Sequence, residues 1–226
     1  MIKQSRIFEV FEADEKGRRK LYTKNLVPGK NIYGEQLVQQ NETEFREWNA
    51  SKSKLASTIL KGSPNIGIRK NDFVLYLGSA SGTTVSHVSD IVGDQGFVFA
   101  VDVAPRVMRD LIFLCHERKN VAPILGDAFN VDSIRERISA VDVIYQDVAQ
   151  KNQTEIFLRN VLAFLKEEGY ALLAVKARSI DVTKQPSKIF SQIKSELEKN
   201  LVIIDIRTLE PFQKDHCMFI CKKRKE

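Results

Sequence analysis

DFVLYLGSASGTT, residues 72–84, decides how this chain is read. FVLYL is a short apolar run of the kind that forms a parallel strand buried on both faces. It breaks into small residues, Gly78, Ser79, Ala80, Ser81 and Gly82. Thr83 and Thr84 then open a run that reads as a helix over residues 83–91. A strand, a small-residue loop and a helix N-terminus in that order expose bare backbone amides to a ligand. A second apolar run, FVFAVD, ends at Asp102, and a carboxylate at that strand tip can accept from both hydroxyls of a ribose. The expected ligand is a nucleoside-containing cofactor. A dinucleotide loop would read G-x-G-x-x-G, and this one reads G-S-A-S-G-T-T. Without a pyrophosphate to cradle, its hydroxyls are free to meet an amino-acid moiety, which fits S-adenosylmethionine.

Outward from that stretch, strands and helices alternate. FVFAVD is followed by a helix opening at Pro105, a favourable first-turn residue. NVAPILGDA, VDVIYQDVA and YALLAVKA read as three further strands, with helices over residues 153–165 and 187–198. LVIIDIRTLE and HCMFICKK lie a hairpin apart. The pattern predicts an α/β fold, a Rossmann-like sheet covered on both faces and ending in an antiparallel pair. Residues 1–50 differ. RIFEVFEA and KLYTKN flank the charged turn DEKGRR, and EQLVQQ and EFREWN follow as short strands. They predict a small N-terminal β domain, 1–50, ahead of the Rossmann-like domain, 51–226. SKSKLASTILKG places Leu55, Ile59 and Leu60 on one helical face, with Gly62 as its stop.

The 226 residues suit one α/β domain with a small appendage, and 43% apolar residues suffice for a core. No apolar run approaches the roughly 20 residues that span a bilayer, and the first residues lack a signal peptide's apolar segment. A cytoplasmic protein without membrane contact is expected. Cys115, Cys217 and Cys221 lack C-x-x-C spacing, read as reduced apolar residues, and argue against a zinc site. The net charge of +6 is compatible with a polyanionic partner, although part of it sits in the KKRKE tail, which also reads as solubilising.

Ligands of doubly wound sheets bind beyond the carboxyl ends of the strands, and several polar residues fall there. Asp127, beside Ala128, can accept from an adenine amino group or cap the segment that follows. Asp147 and Lys176 end neighbouring strands, where a charge is costly unless it is paired or used. A structural ion pair is the other reading. His216 opens the last strand, whereas His87 and His116 fall inside helices and read as incidental. On pattern alone Lys54 is a solvated helix lysine.

KSKLAS, YLGSASGTTVSHVSD, VFAVD, GDA, YQDVAQ, AVKARS and DHCMF, in that order over essentially the whole chain, resemble the archaeal fibrillarin family. The resemblance implies the methyltransferase subunit of a C/D box ribonucleoprotein. It would methylate ribose 2′-hydroxyls of rRNA, and possibly tRNA, with S-adenosylmethionine and no metal. It implies cofactor contacts from the loop of Gly78, Ser79, Ala80 and Gly82, and from Thr83, Thr84, Asp102, Val103, Asp127 and Ala128. Asp147, Val148, Ala149 and Gln150 would complete them. A Lys-Asp-Lys-His catalytic set would fall on Lys54, Asp147, Lys176 and His216. The implied partners are a C/D box guide RNA with its target, a Nop-domain scaffold and a kink-turn-binding ribosomal-type protein. Two departures stand out. No Gly/Arg-rich region like that of eukaryotic fibrillarins is present, and Asp102 replaces a glutamate frequent in the family. Beside this reading stand a stand-alone methyltransferase for a small molecule or protein carboxylate, and a non-catalytic assembly subunit.

Overall fold

The structure, a computed structural model, describes residues 1–225; Glu226, the last residue of the basic tail, lies outside the described residues. Its larger sheet has seven strands: β6 (Phe73–Leu77), β7 (Phe97–Asp102), β8 (Val121–Leu125), β9 (Val141–Gln146), β10 (Leu165–Lys176), β11 (Leu201–Thr208) and β12 (His216–Lys223). Their order is β11-β12-β10-β9-β6-β7-β8. β6 pairs in parallel with both β7 and β9, so the chain's winding reverses beside β6. A crevice at such a reversal is where doubly wound sheets hold ligands. β12 inserts antiparallel between β10 and β11, the antiparallel pair that the sequence predicts. Because it runs backwards, the start of β12 lies at the same edge as the carboxyl ends of the parallel strands.

Alternation along the strands builds two cores. Val74, Tyr76, Val143, Tyr145, Leu172 and Met218 face one side with α1 (Lys54–Leu60), α2 (Thr83–Val92) and α3 (Pro105–Glu117). Leu75, Leu77, Ile144, Leu173 and Phe219 face the other, with α4 (Gln153–Phe164) and α6 (Pro186–Leu197). A single turn, α5 (Ala177–Ile180), follows Lys176. Burying each large aliphatic or aromatic side chain contributes about 1.5–3 kcal/mol, so these two layers dominate the stability.

The smaller sheet has the order β1-β2-β3-β5-β4, from β1 (Lys3–Gln4), β2 (Phe11–Glu15), β3 (Arg18–Lys24), β4 (Leu37–Gln40) and β5 (Thr43–Trp48). Residues 6–10, expected as strand, form a turn instead. Ile7 and Val10, three apart, are both buried while Phe8 between them is exposed, a spacing a turn satisfies and a strand does not. Gln4 Nε2 closes that turn on the Ile7 and Val10 carbonyls. The smaller sheet is locked to α2 by buried charge. Arg46 on β5 reaches Glu35 and Asp90, Asp90 also holds Arg118, and all four side chains are essentially inaccessible. His87 sits in the same layer, stacked on Trp48 and bonded to Thr23 and Tyr33.

One more expectation changes. The segment after Asp127 forms two 3₁₀ turns, Val131–Ser133 and Arg135–Arg137, in place of an α-helix. Lys222 and Lys223 end β12, as the run HCMFICKK predicts, and Lys223 Nζ donates to the Leu165 carbonyl.

Candidate active site

The loop after β6 turns through left-handed backbone, which is open to its glycines and strained at Ala80. Gly78 (φ +82°), Ala80 (φ +48°) and Gly82 (φ +96°) all adopt it. Gly78 is further constrained by contact, because a Cβ there would lie 2.4 Å from the Asp147 carbonyl oxygen. The Gly78 and Ser79 amides donate to the Val101 carbonyl, at 2.9 and 3.1 Å. Asp102, at the tip of β7, accepts from the Ala80 amide through Oδ2 (2.8 Å) and from the Ala104 amide through Oδ1 (2.9 Å). A carboxylate offers about four lone-pair positions, so two amides leave it capacity for a ligand's hydroxyls.

Beside this loop lies a cavity of about 200 Å³. Gly78, Ala80, Asp102, Val103, Asp127, Ala128, Asp147, Val148, Ala149 and Gln150, all anticipated from sequence, line it together with Val101 and Gly126. Asp127 uses Oδ1 to accept from the Phe129 amide, so it braces its own turn while facing the cavity. Carboxylates at two strand tips between apolar Val103, Ala128 and Val148 suit a ligand with a polar sugar and a flat apolar ring. Ser79 has a buried hydroxyl with no hydrogen-bond partner among the described residues. Ser79, Gly82, Thr83 and Thr84 do not line this cavity. Thr83 borders a separate groove with Ile32, Tyr33 and Phe113. The Thr84 hydroxyl donates to Ser53 Oγ. A larger groove of about 730 Å³ beside α4 shares only Asp127 with the cavity and contains none of the catalytic candidates.

The four catalytic candidates converge at the cavity's Asp147 end. Lys54 is the first residue of α1, and its Nζ lies 2.8 Å from each oxygen of Asp147. The Asp147 amide donates to the Leu77 carbonyl, which seats the aspartate at the β6–β9 junction. Lys176 and His216 are direct partners across β10 and β12. The Lys176 side chain is exposed, and no hydrogen bond or ion pair among the described residues engages its ammonium. His216 Nδ1 lies 2.6 Å from the Lys214 carbonyl, which can only accept. Nδ1 therefore carries the proton and Nε2 keeps its lone pair. Burial holds the His216 imidazole below its usual range; the Lys214 carbonyl pulls it back, Lys54 lowers it, Asp147 raises it and Lys176 lowers it. Those couplings place all four groups within electrostatic reach of one another.

Two supports of this site were not read from the sequence. Gln146 and Gln153 are fully buried; Gln146 Nε2 donates to the Gln153 carbonyl (2.6 Å) and Gln153 Nε2 to the Gln150 carbonyl (2.9 Å). They pin the segment 147–150 from below. A glutamine closing an apolar strand was the available signal. Arg178 bonds Asp215, which has a left-handed backbone (φ +57°), and so ties the turn after Lys176 to the residue before His216. Among the described residues no group of three or more His, Cys, Asp or Glu side chains is placed to hold a metal, and no helix is long and apolar enough to cross a membrane.

The family model described as Fibrillarin matches residues 1–225. The chain belongs to the fibrillarin family. Among similar proteins is the fibrillarin-like rRNA/tRNA 2′-O-methyltransferase of Thermococcus gammatolerans, 47% identical over 210 residues that cover 93% of each chain. The crystal structure of Aeropyrum pernix fibrillarin, in complex with natively bound S-adenosyl-L-methionine, superposes with a TM-score of 0.90 at 44% identity. That match covers 98% of this chain and 97% of the other. A fibrillarin from a fibrillarin/Nop5p complex matches with a TM-score of 0.87 at 39% identity, over 96% and 98% of the two chains.

Proposed function

We propose that this chain transfers the methyl group of S-adenosylmethionine to a ribose 2′-hydroxyl of rRNA or tRNA, as the catalytic subunit of a guide-RNA-directed C/D box ribonucleoprotein. The observation that carries the reading is the bidentate Lys54–Asp147 contact at the mouth of the cavity, with Lys176 and His216 paired beside it.

The cofactor would be held by the loop 78–82, by Asp102 on its ribose, by Asp127 and Ala128 at its adenine and by the segment 147–150. It supplies a methyl group already activated on a sulfonium. What remains for the protein is the acceptor, because a protonated 2′-hydroxyl is a poor nucleophile. Asp147, held in place by Lys54, would orient that hydroxyl and take its proton, a contribution of about 10²–10⁴ in rate. The Lys176 ammonium, with no partner of its own among the described residues, would stabilise negative charge developing on the oxygen. His216, its Nε2 lone pair free, would complete the hydrogen-bonding frame around the acceptor.

Target choice would lie outside this chain. The net charge of +6 suits contact with an RNA backbone, which positions without reading sequence. A guide RNA would select the nucleotide, a Nop-domain scaffold of the Nop5p kind would dock the enzyme, and a kink-turn-binding protein would organise the guide. The test is transfer of labelled methyl to a guide-matched RNA, with the chain alone and then with scaffold, kink-turn protein and guide. Methylation only in the full assembly is expected. Methylation by the chain alone would favour a stand-alone enzyme, and none in either mixture would reject the reading.

A further inference from the structure

The helix that presents Lys54 is held in an unusual way. α1 has only seven residues, with no acidic side chain in its first turn and no basic one in its last. A helix that short does not sustain itself in water, so its cap and packing set its orientation. The cap is Ser53, whose Oγ accepts from the Ala56 amide at 3.3 Å. The same Oγ accepts the hydroxyl of Thr84 at 3.1 Å. Thr84 is the second residue of α2, the helix that the loop 78–82 enters. Both side chains are buried.

These contacts close a ring. Lys54 grips Asp147, the Asp147 amide donates to Leu77, and Gly78 packs on the Asp147 carbonyl. The loop runs on to Gly82, the N-cap of α2; Thr84 bonds Ser53, and Ser53 adjoins Lys54. The cofactor loop and the Lys54–Asp147 pair thus lie on one circuit, and the Thr84–Ser53 contact is its link between helices. Building on the methyltransferase reading above, we infer that Thr84 and Ser53 are positioning residues. Their hydroxyl pair transmits the order of the cofactor loop to α1 and sets Lys54 on Asp147, and the Thr84 hydroxyl is not a cofactor contact.

The inference separates rate from affinity. Thr84→Val removes the hydroxyl at constant shape and leaves the Ser53 cap intact. In the assembled ribonucleoprotein at saturating cofactor, its single-turnover rate should fall at least about tenfold, since a misplacement near 1 Å costs about 10². The cofactor Kd should stay within about threefold, and Thr84→Ser should restore the rate. Ser53→Ala should behave alike, and the double variant should be no slower than the worse single one. A second readout needs no turnover: adding S-adenosylmethionine to the free chain should slow hydrogen exchange of the Ala56 amide in the wild type and not in Thr84→Val. Wild-type rate in Thr84→Val, a loss confined to cofactor affinity, multiplicative losses in the double variant, or equal protection of Ala56 in both proteins would each overturn the link. A wild-type assembly that fails to methylate would reject the methyltransferase reading instead, leaving the exchange result to judge the link on its own.

Discussion

Asp147→Asn keeps the shape of the side chain and removes its charge, so it separates a catalytic carboxylate from a structural one. Both Asp147 oxygens lie 2.8 Å from Lys54 Nζ, and each side chain of the pair retains 22% of its surface exposed. An ion pair open to water to that degree contributes about 0–1 kcal/mol. In a chain of 226 residues such a loss lowers the melting midpoint by about 4 °C at most. Loss of a positioned general base costs about 10²–10⁴ in rate, or roughly 2.7–5.4 kcal/mol of barrier at 1.36 kcal/mol per decade. The barrier term therefore exceeds the stability term by a factor of about three or more. The assay is single-turnover methylation by the assembled ribonucleoprotein at saturating cofactor, with a thermal melt of the same preparation. We expect the rate to fall at least about a hundredfold while the midpoint moves by less than about 4 °C. A rate within threefold of wild type would refute the role given to Asp147, as would a large drop in the midpoint that accounts for the lost activity.

Asp102→Ala removes the acceptor of the Ala80 and Ala104 amides along with the ribose partner proposed for it. Hydrogen bonds to a charged group contribute about 1.5–3 kcal/mol each, so calorimetry should find cofactor affinity at least about tenfold weaker, and affinity within twofold would reject the assignment. Arg46→Met strips the fully buried Glu35 and Asp90 of a shared cation. Breaking a buried pair costs about 3–5 kcal/mol, or about 6–20 °C in melting midpoint; a shift under about 3 °C would contradict the locking role of this network. His87 is held well below its ordinary 6.5 first by burial, then by Arg46 and Arg118. Its folded value lies below its unfolded one, so the stability it contributes is complete above about pH 6.5 and is lost as pH falls below that. His87→Gln should flatten the stability profile between about pH 6.5 and 5 by up to about 1.4 kcal/mol per pH unit, and parallel profiles would show that His87 does not titrate on unfolding.

The larger sheet was legible because strands buried on both faces write themselves as short apolar runs, and FVLYL, FVFAVD and all but the last residue of YALLAVKA lie on strands. The lining of the cavity was legible for a related reason: small or acidic residues at strand ends, such as Gly78, Asp102 and Asp127, stand out against those runs. Long-range geometry was not legible. Nothing in EFREWN signals a buried cation, yet Arg46 is fully buried, because Glu35 and Asp90 arrive from other elements to satisfy it. His87 looked incidental for the same reason, since Thr23, Tyr33 and Trp48 meet it only in the fold. Lys54 read as a solvated lysine on pattern alone, because only folding brings it to Asp147, 93 residues away. The pairing of Lys176 with His216 depends on β12 entering between β10 and β11, which no local periodicity encodes.

The most direct test of the central claim is to map 2′-O-methylated nucleotides in one target RNA after reaction with the assembled ribonucleoprotein under two guides of different sequence. The account predicts a single modified ribose for each guide, displaced along the target as the guide is changed, and its loss when Asp147→Asn replaces the wild-type chain. Methylation at the same nucleotide under both guides, or at a base or protein group in place of a ribose, would contradict it.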